Sequence, residues 1–157
     1  MYSSNMIIFS STVAPKILGP LYDIKIKAGQ VIHIDIDYIG EPDPDIFWYN
    51  DDVEIGPSVR TTIDAINHHT IIHTVNAVRS DSGQYKIRAR NENGEDEATL
   101  NVVVLDKPGP PEGPLNYDEI MANSVLMSWG PPKDDGGSPI TYVYFCYIIL
   151  CDNHDII

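Results

Sequence analysis

An all-β sandwich is the fold class that this sequence predicts, on three observations. The run Val31 to Tyr38 alternates strictly, with Ile32, Ile34, Ile36 and Tyr38 on one parity and Val31, His33, Asp35 and Asp37 on the other. A period of two with charge confined to one parity describes a strand that has one buried and one wet face. A Pro-rich acidic turn, Pro42 to Asp45, feeds the run Ile46-Phe47-Trp48-Tyr49, whose β-branched and aromatic composition suits a strand entering a sheet. Gln84 to Asn91 alternates again, with Tyr85, Ile87 and Ala89 on the inward parity and Lys86, Arg88 and Arg90 on the outward one.

The other elements follow in chain order. Residues 1–12 are polar and patternless and are read as an unstructured extension. Val13 to Leu18 opens the ordered part, Gly19-Pro20 interrupts it, and Leu21 to Lys27 alternates, which describes an edge strand split by a proline kink. Ala28-Gly29-Gln30 and Asn50-Asp51-Asp52 are turns. Weaker strands are expected around Val59 to Ala65 and Thr70 to Val75, with His68 and His69 in the turn between them. Asn91-Glu92-Asn93-Gly94 reads as a hairpin turn of the Asn-Gly kind, and Thr99 to Leu105 closes the sheet. Seven or eight short strands with turns at about ten-residue spacing build a sandwich. Residues 13–105 therefore form one domain. Residues 106–114 are a Pro/Gly linker that disfavours a central strand. Residues 115–157 begin a second β unit around Ser124 to Trp129, with an aberrant apolar tail from about residue 142.

The formal net charge is −13. Eight basic and fifteen acidic residues lie between 13 and 105, and two basic and eight acidic residues lie elsewhere. Acidity spread in this way argues against binding a nucleic-acid backbone, which needs clustered Lys and Arg. It suits a solvated surface or a basic partner. The two cysteines, Cys146 and Cys151, both lie in the tail. Neither Met6 to Phe9 nor Tyr142 to Leu150 is long enough to cross a membrane. A cytoplasmic setting with no membrane partner is the expectation.

Residues 13–105 resemble the I-set immunoglobulin domains of giant muscle proteins of the twitchin, projectin and titin type. The carriers are Gly40-x-Pro42-x-Pro44 leading to Trp48, Asp81-Ser82-Gly83-x-Tyr85, and Asn91-x-Asn93-Gly94. The resemblance implies that Ile36 and Ile87 stand where the family's two cysteines fall, packed against Trp48, and that Tyr85 is a corner tyrosine bonded back to nearby backbone. The missing disulfide agrees with a reducing compartment. Lys107 to Pro111, Trp129 and Pro131-Pro132-x-Asp134-Asp135-Gly136-Gly137-Ser138-Pro139-Ile140-Thr141 resemble the opening of a fibronectin type III domain, truncated here, with Trp129 as its core. The structural core is thus expected at Ile36, Trp48, Tyr85, Ile87 and Trp129. What the resemblance implies is a fragment of a sarcomeric filament protein. Its role would be to bind filament proteins (thick filament and myosin among them) and neighbouring immunoglobulin and fibronectin domains, and to bear tension through its edge strands. A fragment of a cell-surface adhesion receptor is the alternative.

No residue pattern supports catalysis, a cofactor or a small-molecule substrate. Ser82 beside Asp81 is explained by the turn before Tyr85. His69 and His73 share one strand face but stand about 13 Å apart at roughly 3.3 Å per residue, too far for one Zn²⁺. His33 has solvent parity. Glu41, Asp43 and Asp45 lack a Ca²⁺-loop pattern, and Asp134 to Gly137 reads as a turn. No metal is expected.

Overall fold

The computed structural model describes residues 12–121 and 124–141. The expected extension over residues 1–11, and the apolar tail from residue 142 with Cys146 and Cys151, lie outside the described residues. The chain divides into two units between Lys107 and Pro108.

The first unit runs β1 (Val13–Leu18), β2 (Ile24–Lys27), β3 (Ile32–Glu41), β4 (Asp45–Asn50), β5 (Val53–Glu54), β6 (Thr61–Ile66) and β7 (His69–Thr74). A one-turn 3-10 helix (Arg79–Asp81), β8 (Gly83–Asn91) and β9 (Gly94–Leu105) complete it. One sheet has the order β1-β3-β7-β6 and the other β2-β9-β8-β4-β5. The Gly19-Pro20 break lets the chain change sheets: β1 pairs antiparallel with β3, whereas β2 pairs parallel with β9, Ile24 opposite Val102 through Lys27 opposite Leu105. The first and last strands of the second sheet therefore lie side by side.

The inward parities meet between the sheets. Ile32, Ile34, Ile36 and Tyr38 of β3, Tyr85, Ile87 and Ala89 of β8, and Leu100, Val102 and Val104 of β9 are all buried, with Trp48 of β4 at 1% exposure. Burial alternates residue by residue along β3 from Ile32 to Glu41. That strand continues three residues past Tyr38, because Gly40 keeps the inward parity in a place where no side chain fits. A Cβ on Gly40 would stand 2.5 Å from Pro44 Cγ and 3.3 Å from Pro15 Cα.

Two turns differ from expectation. Asn91 pairs with Gly94, so the centre of the β8–β9 turn is Glu92-Asn93 and not an Asn-Gly pair. The turns with left-handed residues at both central positions are Asp51-Asp52 (φ 46° and 63°) and Asn67-His68 (φ 54° and 65°). This is the type I′ geometry that matches strand twist in a two-residue hairpin. His68 accordingly lies in the turn, but His69 opens β7 and joins the sheet.

The second unit contains β10 (Glu112–Ile120) and β11 (Val125–Gly130), an antiparallel pair. β10 begins inside the stretch expected to be linker. Pro114 is tolerated because it falls in the irregular part of the register between Glu112 and Asn116, where a missing N–H breaks no ladder bond. Trp129 is half-buried and not enclosed, and Leu126, Tyr117 and Ile120 are 57%, 61% and 77% exposed. A two-stranded sheet offers a single layer with no opposing face to cover it. Asp134 and Asp135 each accept a hydrogen bond from the backbone N–H two residues on, at 3.0 and 2.8 Å, the Asx-turn expected of Asp-Asp-Gly-Gly.

Candidate interaction surfaces

Four polar locks fix the first unit's shape and so its surfaces. Inside the core the Trp48 indole N–H donates to Thr70 Oγ1 at 2.9 Å. Thr70 is 0% exposed, so each group satisfies the other where water cannot. Ile36 and Ile87, at 3% and 0% exposure, belong to the same apolar cluster as Trp48.

At one end of the sandwich the Tyr85 hydroxyl donates to the Asp81 carbonyl at 3.0 Å. Burial, reinforced by the Asp81 charge, pushes the Tyr85 phenol up to about 12. The Arg60 guanidinium grips the Asp81 carboxylate with two bonds of 2.8 and 3.0 Å, and the Val78 N–H donates to the same carboxylate at 2.9 Å. These bonds, the Arg60 fork first, hold the Asp81 carboxyl below its ordinary range.

Asn91 and Asn93 tie three chain segments together. The Asn91 amide donates to the Val13 and Pro42 carbonyls, both at 2.9 Å, and the Asn93 amide donates to the Glu41 carbonyl at 2.8 Å. The Asn-x-Asn motif thus locks the β8–β9 turn onto the β3–β4 turn. Across the opening of β8, the Gln84 N–H donates to Asp51 Oδ1 at 2.8 Å. A Cβ on Gly83 would reach 2.1 Å from Asn50 Oδ1, so the Gly of Asp-Ser-Gly makes room for that loop.

The outer face of the five-stranded sheet is a mixed-charge aromatic strip. Lys86 and Arg88 sit 5.5 and 5.7 Å from the centre of the Tyr49 ring. Lys86 Nζ contacts Asp52 Oδ1 at 2.5 Å, and Arg88 pairs with Glu97. Each cation is therefore matched by an acid, and the strip presents aromatic edges within a neutralised lattice.

The outer face of the four-stranded sheet is different. Cross-strand register sets His33 opposite His73, Asp35 opposite Ile71, Asp37 opposite His69 and Asp64 opposite Ile71 on the far side. The rings of His33 and His73 meet edge to face at 5.8 Å. His69 Nδ1 is 2.5 Å from Asp37 Oδ1 and 3.7 Å from Asp35 Oδ1. Asp35, Asp37 and His69 bring three ligand atoms within 4.8 Å of one another, the group of this kind among the described residues. Sequence reasoning along a single strand compared His69 with His73 and missed partners that come from across the sheet. Of the acidic loop, Asp43 lies 3.6 Å from His68 in the neighbouring turn. Where β1 leaves the sheet, a shallow cleft of about 250 Å³ opens between Leu21, Tyr22 and Ile24 on one side and His33 to Ile36 on the other.

Two facing sheets, a kinked first strand shared between them, a core tryptophan and a corner tyrosine define an immunoglobulin-type domain. The chain belongs to the immunoglobulin I-set family, whose description matches residues 15–104. It is similar to fast-type myosin-binding protein C of Mus musculus, 34% identical over 115 residues, covering 73% of this chain and 10% of the mouse protein. It is similar also to titin of Drosophila melanogaster, 34% identical over 117 residues, covering 74% of this chain and 1% of the fly protein. Among solved structures, the complex of titin M10 with an obscurin-like 1 immunoglobulin domain superposes with a TM-score of 0.59 at 26% identity, covering 63% of this chain and 100% of the matched one. The chain spans a tenth or less of the length of these two curated relatives.

Proposed function

We propose that this chain is a structural, protein-binding module of a sarcomeric filament protein and carries no catalysis. In this reading it resides in the cytoplasm, in the myofibril. It binds thick-filament proteins, myosin first among them, together with neighbouring immunoglobulin and fibronectin domains, and it bears tension. Residues 115–157 are the opening of a fibronectin type III domain. The observation that carries the reading is the similarity of residues 15–104 and their surroundings to a myosin-binding protein and to titin. Aliphatic Ile36 and Ile87 at the disulfide positions implied by the family also favour a reducing compartment over a cell-surface receptor.

The fold supports load. β2 and β9 are parallel neighbours near the two ends of the domain, from Ile24–Val102 to Lys27–Leu105. Pulling the chain ends apart slides these strands past each other, so their hydrogen bonds bear force together and do not open one at a time. Single-molecule pulling of the 157-residue chain tests this. Ile24→Pro removes a ladder donor and lowers the unfolding force. Ile72→Val, a core change in the other sheet costing about 0.5–1.5 kcal/mol, leaves the force near that of the parent. Equal loss of force in both variants would contradict the tension-bearing role.

A further inference from the structure

The Tyr38 N–H donates to the His68 carbonyl at 2.9 Å, so even-numbered residues of β3 form the hydrogen-bonded pairs with β7. His33–His73, Asp35–Ile71 and Asp37–His69 are consequently the non-hydrogen-bonded pairs. In such pairs the Cα atoms approach to about 4.5 Å and the side chains stand closest. The neighbouring outward residues of β6, opposite His73, Ile71 and His69, are Thr62, Asp64 and Ile66. None is basic, and Lys16 of β1 stands a row away, opposite Ile39. The two carboxylates beside His69 therefore have no Lys or Arg facing them from the adjoining strands.

We propose that Asp35, Asp37 and His69 form a surface site for a divalent cation of the Zn²⁺ class, with water completing the coordination. The donor set is one imidazole nitrogen and two carboxylate oxygens, which suits a borderline transition metal. Ca²⁺ takes six to eight oxygens and gains nothing from imidazole. Donors that each lie about 2.0–2.2 Å from one metal stand some 3–3.5 Å apart. The His69–Asp35 separation of 3.7 Å is near that already, and the 2.5 Å His69–Asp37 contact opens to it by a side-chain rotation. All three side chains are 49–58% exposed, so the rotation meets little packing and the ion enters from solvent. Two ligands come from β3 and one from β7, so the bound ion cross-links two adjacent strands of the sheet. Binding competes with protonation of the imidazole and weakens as pH falls.

The test is a ZnCl₂ titration of the 157-residue chain at neutral pH, followed through the histidine ring resonances and the thermal midpoint. The ring signals of His69 shift and saturate at one equivalent, and the midpoint rises. Asp37→Asn weakens the response by about tenfold or more, and His69→Gln abolishes it, each with the metal-free midpoint of the parent. Replacing Cys146 and Cys151 by Ser leaves the His69 response intact, and CaCl₂ produces none. His69 signals that stay still up to about 1 mM Zn²⁺ overturn the proposal. So does an Asp37→Asn chain that binds like the parent, or an ion that settles only on His33 and His73 or on the cysteines.

Discussion

Replacing Thr70 by Val takes one oxygen from the core and changes little else. The two side chains have nearly the same shape, Thr70 is fully buried, and its Oγ1 accepts the 2.9 Å bond from the Trp48 indole. The variant leaves that N–H at a position 1% exposed to solvent. An orphaned buried donor costs about 1–3 kcal/mol, and burying a methyl in place of a hydroxyl returns about 0.8 kcal/mol. A net loss of about 1–2 kcal/mol follows. In urea this moves the midpoint down by about 1 M for an m-value near 1–2 kcal/mol per M. On heating it lowers the transition by about 4–8 °C per kcal/mol for a domain of this size. Trp48→Phe shrinks the core and is costly alone, but in the Thr70→Val background there is no longer a bond to lose. The double-mutant cycle is expected to show a coupling of about 1–2 kcal/mol. A coupling below about 0.5 kcal/mol, with Thr70→Val as stable as the parent, would refute the reasoning that the bond closes the core.

Three further outcomes follow from the locks. Gly40→Ala drives a Cβ into the Pro44 ring and the Pro15 backbone and is expected to cost about 1–3 kcal/mol, read by chemical denaturation. The Tyr85 phenol titrates near 12 in the fold instead of 10, so its neutral form stabilises the domain fully below pH 10. That contribution is lost between about pH 10 and 12 and amounts to about 2 kcal/mol. Tyr85→Phe is expected to be about 1 kcal/mol less stable at pH 7 and to lack this part of the alkaline decline when its stability–pH curve is subtracted from the parent's. On the acid side, the depressed Asp81 carboxyl contributes stability present above the ordinary carboxylate pKa and lost as pH falls through its lowered value. Asp81→Asn should flatten the acid limb of the urea midpoint plotted against pH.

Much of the fold was legible because parity is a local property. Ile32, Ile34, Ile36 and Tyr38 point one way whatever they pair with, and Trp48, Tyr85 and Ile87 fall on inward parities that the facing sheet covers. The switch of sheets at Gly19-Pro20 was legible too, as a kink, though not the parallel pairing with β9 that the kink makes possible. What stayed hidden depends on register. Asp37 and His69 are 32 positions apart, and only the β3–β7 alignment sets them face to face. Thr70 reads as an ordinary strand threonine until its strand is laid over Trp48. The Pro-rich stretch before Asn116 was read as linker because proline is poor in a central strand. A two-stranded sheet has only edge strands, and an irregular register spares the proline.

Binding to the thick filament is tested most directly by co-sedimentation of the 157-residue chain with filaments assembled from purified muscle myosin. We expect the chain to pellet with the filaments in a saturable manner, and an excess of unlabelled chain to displace it. A chain that stays in the supernatant at every filament concentration, while remaining folded, would contradict a myosin-binding role and leave only the mechanical one standing.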